Sequence, residues 1–187
     1  AILQWLGGIG IIVMAIAILP MLSIGGMQLF KTESYETPDK VIPRAAIFAS
    51  GISIIYAALT AIWSLMLWFA GMPIFDAIAH AMSTLATGGY STKSASLAAF
   101  DSAYIELIIT FGMIVGSLPF VHYLSLSKSG WKNLVKDDQV KWFLILITIL
   151  VMLVSFNLYS KGINFIESIR LSLFNVVSIL TGTGYGT

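Results

Sequence analysis

The sequence predicts an all-α membrane protein built from repeated units of helix, re-entrant loop and helix. Three observations carry that expectation. Of 187 residues, 58% are hydrophobic and 10% are charged, against roughly a quarter charged in an ordinary soluble domain. Four long stretches hold no charged side chain. One short motif recurs in register 95 residues further on.

Composition bounds the function before any element is placed. A soluble chain of this length must cover its core with polar groups, and ten Lys and Arg with nine Asp and Glu are too few for that. Lipid is the expected surrounding. The net charge of +1 gives no basic field for nucleic acid, so none is expected as a partner. Cysteine is absent, which excludes disulfides, thiolate metal sites and a Cys nucleophile. His80 and His122 each stand alone in apolar sequence, short of the ligand number a metal site needs. No cofactor is expected in this chain. Ala1 opens inside an apolar run and Thr187 closes a Gly-rich motif, so an internal piece of a longer protein is expected.

Residues 1–30 and 45–75 carry no charge, nor do 107–127 and 142–160 when His122 is neutral. About 20 apolar residues cross the hydrocarbon as a helix. Crossings follow at 3–28, 46–71, 104–127 and 142–160. The connection 31–44 holds three basic residues and 128–141 holds four, while the other connections share Lys93, Lys161 and Arg170. Excess Lys and Arg marks the cytoplasmic side. The first crossing then runs inward, the second outward, the third inward and the fourth outward. The loop 128–141 is read as a solvated or lipid-facing surface, with contact to a cytosolic partner as the alternative. Trp63, Trp68, Trp131 and Trp142 are expected at span ends, where amphipathic rings favour the interface.

The second crossing is followed by a segment too short to cross. Residues 75–85, FDAIAHAMSTL, would span about 16 Å as a helix, half a membrane. Residues 86–92, ATGGYST, cannot continue that helix comfortably, and irregular backbone at membrane depth is tolerated only inside protein or along a watery path. The pattern returns after the fourth crossing. When Tyr90 is set against Tyr185, Ser83 meets Ser178, Gly89 meets Gly184, Thr92 meets Thr187 and His80 meets Asn175. A second short helix at 170–181 and a second loop at 182–187 are expected, as duplication of a whole unit would give.

Such loops suit a dehydrated cation. An ion entering low dielectric must exchange water for other oxygens, and backbone carbonyls supply them without a full charge that would trap it. Aiming successive carbonyls alike takes dihedrals that glycine adopts at least cost. Thr87, Gly88 and Gly89, with Gly182, Thr183 and Gly184, are the candidate carbonyl donors. Tyr90, Tyr185 and Gly186 are candidate supports. The short helices would direct their partly negative C-terminal ends at the ion path, and Asp76 suits the positive end of the first. The plainer reading of a Gly-Gly or Gly-x-Gly is a turn or a close helix contact. Shared register, a shared side of the membrane and a half-length helix ahead of each loop favour the ion filter.

Other residues receive structural readings. Gly112 and Gly116, with Pro119 after them, are read as close helix packing and a kink, with a gating hinge as the alternative. Gly7, Gly8 and Gly10 are read as packing too. Glu106, near Asp101, is read as an interfacial acid in water rather than an attractor of cations. Glu167 and Asp76 are helix-start residues, Arg170 can pair with Glu167 at i,i+3, and His122 is read as packing rather than a pH sensor.

A family resemblance emerges from three places. Residues 182–186, Gly-Thr-Gly-Tyr-Gly, resemble the Thr-Val-Gly-Tyr-Gly filter of potassium channels. The first crossing, with QWLGGIGIIV at 4–13, AILPM at 17–21 and GGMQLF at 25–30, resembles the TrkH family of bacterial potassium-uptake proteins, in the Trk/Ktr/HKT superfamily. Residues 75–78 and 88–92 are similar to the family's second repeat, and 174–185 to its third. The resemblance implies helix, pore loop and helix units of potassium-channel type, four to a subunit around one pore. Residues 1–30 would be the inner helix of repeat one, 31–44 a cytoplasmic loop, 45–127 repeat two, 128–141 a second cytoplasmic loop, and 142–187 a truncated repeat three. It also implies a multi-pass protein of the bacterial inner (plasma) membrane, a homodimer, and gating by TrkA, a cytosolic nucleotide-binding ring. The family's second and third filter strands typically carry one glycine, at the positions of Gly89 and Gly184. Gly182 and Gly186 are additions.

The function expected is the pore-forming subunit of a potassium uptake channel or transporter, with K+ as the permeant ion. The alternative is a secondary cation carrier or symporter with broken helices. Carriers often place a carboxylate at membrane depth, and no Asp or Glu occupies the middle of any expected crossing. An intramembrane enzyme is not expected. No paired acids lie within the expected crossings and no His-Glu-x-x-His occurs, and Ser83 with His80 lacks a third group.

Overall fold

Uncharged apolar stretches become helices in lipid because a helix pairs every interior backbone N–H and C=O within itself. The computed structural model describes residues 1–18, 41–120, 122–123 and 137–187, with side chains described at 1–10, 49–120, 122–123 and 137–187. The order is α1 (Ile2–Ile18), α2 (Val41–Phe69), α3 (Ile74–Leu85), a 3-10 turn (Ser96–Phe100), α4 (Ala103–Ser117), α5 (Asp138–Ser160) and α6 (Phe165–Leu180). No strand occurs among the described residues. Helix α5, and α2 over Ala49–Phe69, are long and apolar enough to cross a membrane. Residues 19–30 of the first expected helix, 31–40 of the first polar connection and 128–136 of the second lie outside the described residues, as does Trp131.

Both long helices stop in the same way. After α2, Gly71 takes φ +98°, its N–H donates to Trp68 O at 3.0 Å, and Met72 N–H donates to Leu67 O at 3.1 Å. After α5, Gly162 takes φ +91°, with bonds from Gly162 to Tyr159 O at 3.0 Å and from Ile163 to Leu158 O at 3.4 Å. A left-handed glycine that satisfies the last carbonyls in this way ends a helix sharply. A short helix then starts three residues after the glycine in each case, at Ile74 and Phe165.

Several boundaries depart from expectation. Helix α2 begins at Val41 rather than 46, since Pro43 falls in a first turn whose N–H groups need no helical acceptor. Helix α5 begins at Asp138 rather than 142, because the Asp137 carboxylate caps it, accepting from Gln139 N at 2.8 Å and Val140 N at 3.2 Å. The Val140 N–H first, then that of Gln139 and the adjacent His122, hold this carboxyl below the usual carboxylate range. His122 Nε2 lies 3.0 Å from Asp137, a polar contact where simple packing was expected. Helix α6 begins at Phe165 rather than 170, capped by Asn164 Oδ1 on Ile166 N at 3.3 Å. It has 16 residues against 12 in α3, one more turn.

The third expected crossing is interrupted. Helix α4 ends at Ser117, and Leu118 is extended at φ −77°, ψ 148°, as a residue before proline prefers. Pro119 has no N–H for the Val115 carbonyl four residues back. Leu118 N–H at 3.3 Å and Tyr123 Oη at 2.8 Å donate to that carbonyl instead.

Helix α3 sits between α1, α2 and α4, while α6 packs on α5 and α4. Trp5 stacks on Tyr56 at 5.2 Å, and Phe120 meets Tyr56 edge-on at 5.4 Å. Trp63 is buried, with Nε1 donating to Ile108 O at 2.9 Å, which corrects the interfacial placement. Gly112 of α4 leaves room for the ring, and the α4 carbonyl satisfies its one donor. Trp68 and Trp142 are exposed. Gly8 lies against Tyr56 and Ala86, whereas among the described residues nothing lies within 4 Å of where a Cβ of Gly7 or Gly10 would sit.

The close-packing reading of α4 has specific atoms behind it. A Cβ at Gly112 would meet Trp63 Nε1 at 2.4 Å, and one at Gly116 would meet the Leu85 carbonyl oxygen at 2.7 Å. Gly116→Ala should therefore lower the unfolding midpoint in detergent, by the about 1–3 kcal/mol typical of overpacking. An unchanged midpoint would return Gly116 to the hinge reading.

Candidate functional site

The site forms where α3 and α6 end. Ala86 closes α3 at φ −77°, ψ −1°, and Thr181 closes α6 at φ −78°, ψ −10°. Ala86 N–H donates to Met82 O and Thr87 N–H to Thr84 O; Thr181 N–H donates to Val177 O and Gly182 N–H to Ile179 O. Each pair stands 95 residues apart, the separation of Tyr90 and Tyr185.

The conformations of the following residues correspond at the same spacing. Thr87 takes φ +49° and Gly182 +71°; Gly89 takes +63° and Gly184 +82°. Extended backbone alternates direction from residue to residue. A left-handed residue at every second position breaks that alternation and re-aims the carbonyls beside it. Thr87 adopts at some strain what Gly182 adopts freely.

Among the described residues, the carbonyl oxygens of Thr87, Gly89, Gly182, Thr183 and Gly184 accept no hydrogen bond. The Gly88 oxygen differs, since Gln4 Nε2 donates to it at 2.8 Å. The two segments touch: a Cβ at Gly89 would lie 1.9 Å from the Thr183 oxygen. The C-terminal, partly negative ends of α3 and α6 adjoin this cluster.

Serines at matching positions brace both segments. Ser83 Oγ accepts from Tyr90 N at 2.6 Å, and Ser178 Oγ donates to Tyr185 O at 2.8 Å. The Tyr185 ring is buried. Its hydroxyl accepts from Thr84 Oγ1 at 3.3 Å and lies 3.3 Å from both His80 O and Tyr90 O, to either of which it can donate. The Tyr90 side chain is half exposed and takes no such part. Gly186 joins the second segment to the 3-10 turn, its N–H donating to Ser96 Oγ and its oxygen accepting from Leu97 N.

His80 and Asn175 are alike in one respect. Each side chain bonds the carbonyl four residues back, Asp76 O at 2.7 Å and Leu171 O at 2.9 Å. Since a carbonyl only accepts, His80 Nδ1 carries the proton there, and Ser91 Oγ at 3.0 Å donates to Nε2.

A carboxylate anchors the far end of each segment. Thr92 Oγ1 donates to Asp76 at 2.7 Å, with Lys93 Nζ 3.4 Å from the same carboxylate. Thr187 Oγ1 donates to Glu106, whose other oxygen meets Arg170 at 2.7 Å. Glu106 is buried, which corrects its reading as an acid in water: the Arg170 guanidinium supplies the opposite charge that makes burial tolerable. Arg170 also lies 3.8 Å from Glu167. Sequence reasoning did not single out Gln4, Thr84 or Ser96, or the Glu106–Arg170 pair. Gln4, the only carboxamide in residues 1–27, carried a signal. The others become visible only in three dimensions. Among the described residues no group of three His, Asp or Glu is placed to hold a metal ion.

Comparison with known proteins gives this geometry a family. Residues 1–186 match the family model described as TrkH, cation transport protein. The chain is 40% identical to the Trk system potassium uptake protein TrkI of Halomonas elongata over 187 residues, all of this chain and 38% of that protein. It is 40% identical to TrkH of Salmonella typhimurium over 193 aligned positions, 99% of this chain and 39% of that protein. The crystal structure of the potassium transporter TrkH from Vibrio parahaemolyticus is similar with a TM-score of 0.82 at 35% identity, over 98% of this chain and 37% of that one. The chain thus spans about two-fifths of the length of these relatives. A family match along nearly its whole length establishes that this chain belongs to the TrkH cation transport family.

Proposed function

We propose that this chain is pore-forming sequence of a potassium transport protein, and that residues 86–92 and 182–187 are pore loops whose carbonyls replace the water of a passing K+. The observation that carries this reading is the alternating left-handed backbone at 87 and 89, and again at 182 and 184, with five carbonyl oxygens free of protein donors among the described residues. Thr183 is buried, Thr87 and Gly89 are partly buried, and Gly182 and Gly184 are exposed, so most of these residues remain accessible to an entering ion. Partial negative charge in several oxygens suits a monovalent ion that must also leave. The relatives are named as potassium uptake proteins, which agrees with this chemistry. Membership of such a family supports a transporter rather than an enzyme.

In this reading α2 with α4 flanks the first pore loop, α5 precedes the second, and 31–44 and 128–141 face the bacterial cytoplasm. A homodimer and a TrkA-like ring belong to the same proposal. The carrier alternative gains nothing from Glu106, because Arg170 already neutralises that carboxylate.

Rubidium uptake into vesicles by the full-length parent tests the reading. Gly182→Ala and Gly184→Ala meet nothing within 4 Å among the described residues but must adopt a left-handed backbone, at a strain of about 1–3 kcal/mol each. Both should lower uptake or admit sodium while the protein still assembles. Wild-type uptake and selectivity in both variants would sink the proposal.

A further inference from the structure

We propose that Gln4 is a positioning residue for the first loop: its carboxamide holds the Gly88 carbonyl off the ion path, so that this strand presents the oxygens of Thr87 and Gly89 alone. This rests on the ion-path reading above and refines it.

The argument is a chain of three hydrogen bonds. Gln4 Nε2 donates to Gly88 O at 2.8 Å. Its Oε1 accepts from Ser83 Oγ at 3.2 Å. Ser83 Oγ in turn accepts from Tyr90 N–H at 2.6 Å. A carboxamide bound at both its donor and its acceptor end has one orientation available, and Ser83 is fully buried. The network therefore fixes two points of the loop, residues 88 and 90, from a helix 84 residues away in sequence.

The close approach also explains the residue at 88. A Cβ there would lie 2.6 Å from Gln4 Cδ, so glycine admits the carboxamide. Gly88 has no left-handed φ of its own, so backbone conformation alone does not call for glycine.

A carbonyl engaged by an N–H at this distance has its dipole aimed at that donor. A cation at the same oxygen would face the positive hydrogen beside it, which weakens coordination. The corresponding carbonyl 95 residues on, that of Thr183, accepts no hydrogen bond among the described residues. The two loops are thus unlike at this level.

The test is site-resolved carbonyl carbon NMR on the full-length protein in bilayers, with potassium exchanged for sodium. The Gly89 and Thr183 carbonyl signals should move and that of Gly88 should stay. In Gln4→Leu the Gly88 signal should begin to respond. Rubidium uptake supplies a second readout. Gln4→Leu and Gln4→Glu, which both lack the donor to Gly88, should shift sodium competition by about tenfold, the ratio one ordinary hydrogen bond can move. A wild-type Gly88 signal that moves together with Gly89 overturns the proposal. So does a Gly88 signal that stays silent in Gln4→Leu. If Gly89, Thr183 and Gly88 are all silent in wild type, the ion-path reading itself falls. Should Gln4→Leu fail to assemble, the wild-type comparison of Gly88 with Gly89 still decides.

Discussion

Gly89→Ala in the full-length protein should abolish rubidium uptake, with a larger loss than Gly184→Ala. Both residues adopt left-handed backbone, at φ +63° and +82°, so alanine at either carries roughly 1–3 kcal/mol of strain. Only Gly89 adds a collision. Its new Cβ would sit 1.9 Å from the Thr183 oxygen and 2.8 Å from the Thr183 carbonyl carbon. Backbone cannot step aside as a flexible side chain can, so the two loops must separate. Uptake by vesicles containing equal amounts of assembled protein checks the order. Equal activity in the two variants would mean that the loops do not touch in the working protein.

The second large effect belongs to Arg170→Met. This change leaves the buried Glu106 carboxylate without its partner at 2.7 Å, and removal of one member of a buried ion pair typically costs about 3–5 kcal/mol. The partial exposure of Arg170 places the expected value at the lower end. Thermal unfolding in detergent should show a clearly reduced midpoint. The double variant Glu106→Gln with Arg170→Met should recover part of the loss, because no uncompensated charge then remains. Additive losses in the double variant would show that the pair is not coupled.

The sequence made the helices legible for a simple reason: where charge is absent and length suffices, lipid leaves the backbone no other choice. The half-length helix expected at 75–85 runs from Ile74 to Leu85. The counterpart expected from Arg170 starts at Phe165 because the register was set at the loops, and α6 has an extra turn at its opposite end. The matched serines and glycines pointed to the loops, since those residues are bound to the backbone path itself. The left-handed Thr87 was hidden, because a threonine does not advertise that conformation, although Gly182 at the matching position does. The Glu106–Arg170 pair was hidden for another reason. Its members are 64 residues apart, and each had a local reading of its own, Glu106 as an interfacial acid in water and Arg170 beside Glu167. Only the packing of α4 on α6 brings them together.

The Tyr185 hydroxyl has a consequence for how the protein is made. It reaches Thr84 across 101 residues and the Tyr90 carbonyl across 95. At translation rates of about 5–20 residues per second, that separation corresponds to roughly 5–20 s of synthesis. During that interval α3 and the segment after it are already made, yet the ring that will wedge beside them is still on the ribosome or not yet polymerised. The nascent segment must spend those seconds wetted or sheltered by the insertion machinery. Its final shape is a late event of biogenesis, and a ribosome stalled before residue 185 would hold the first loop without its brace.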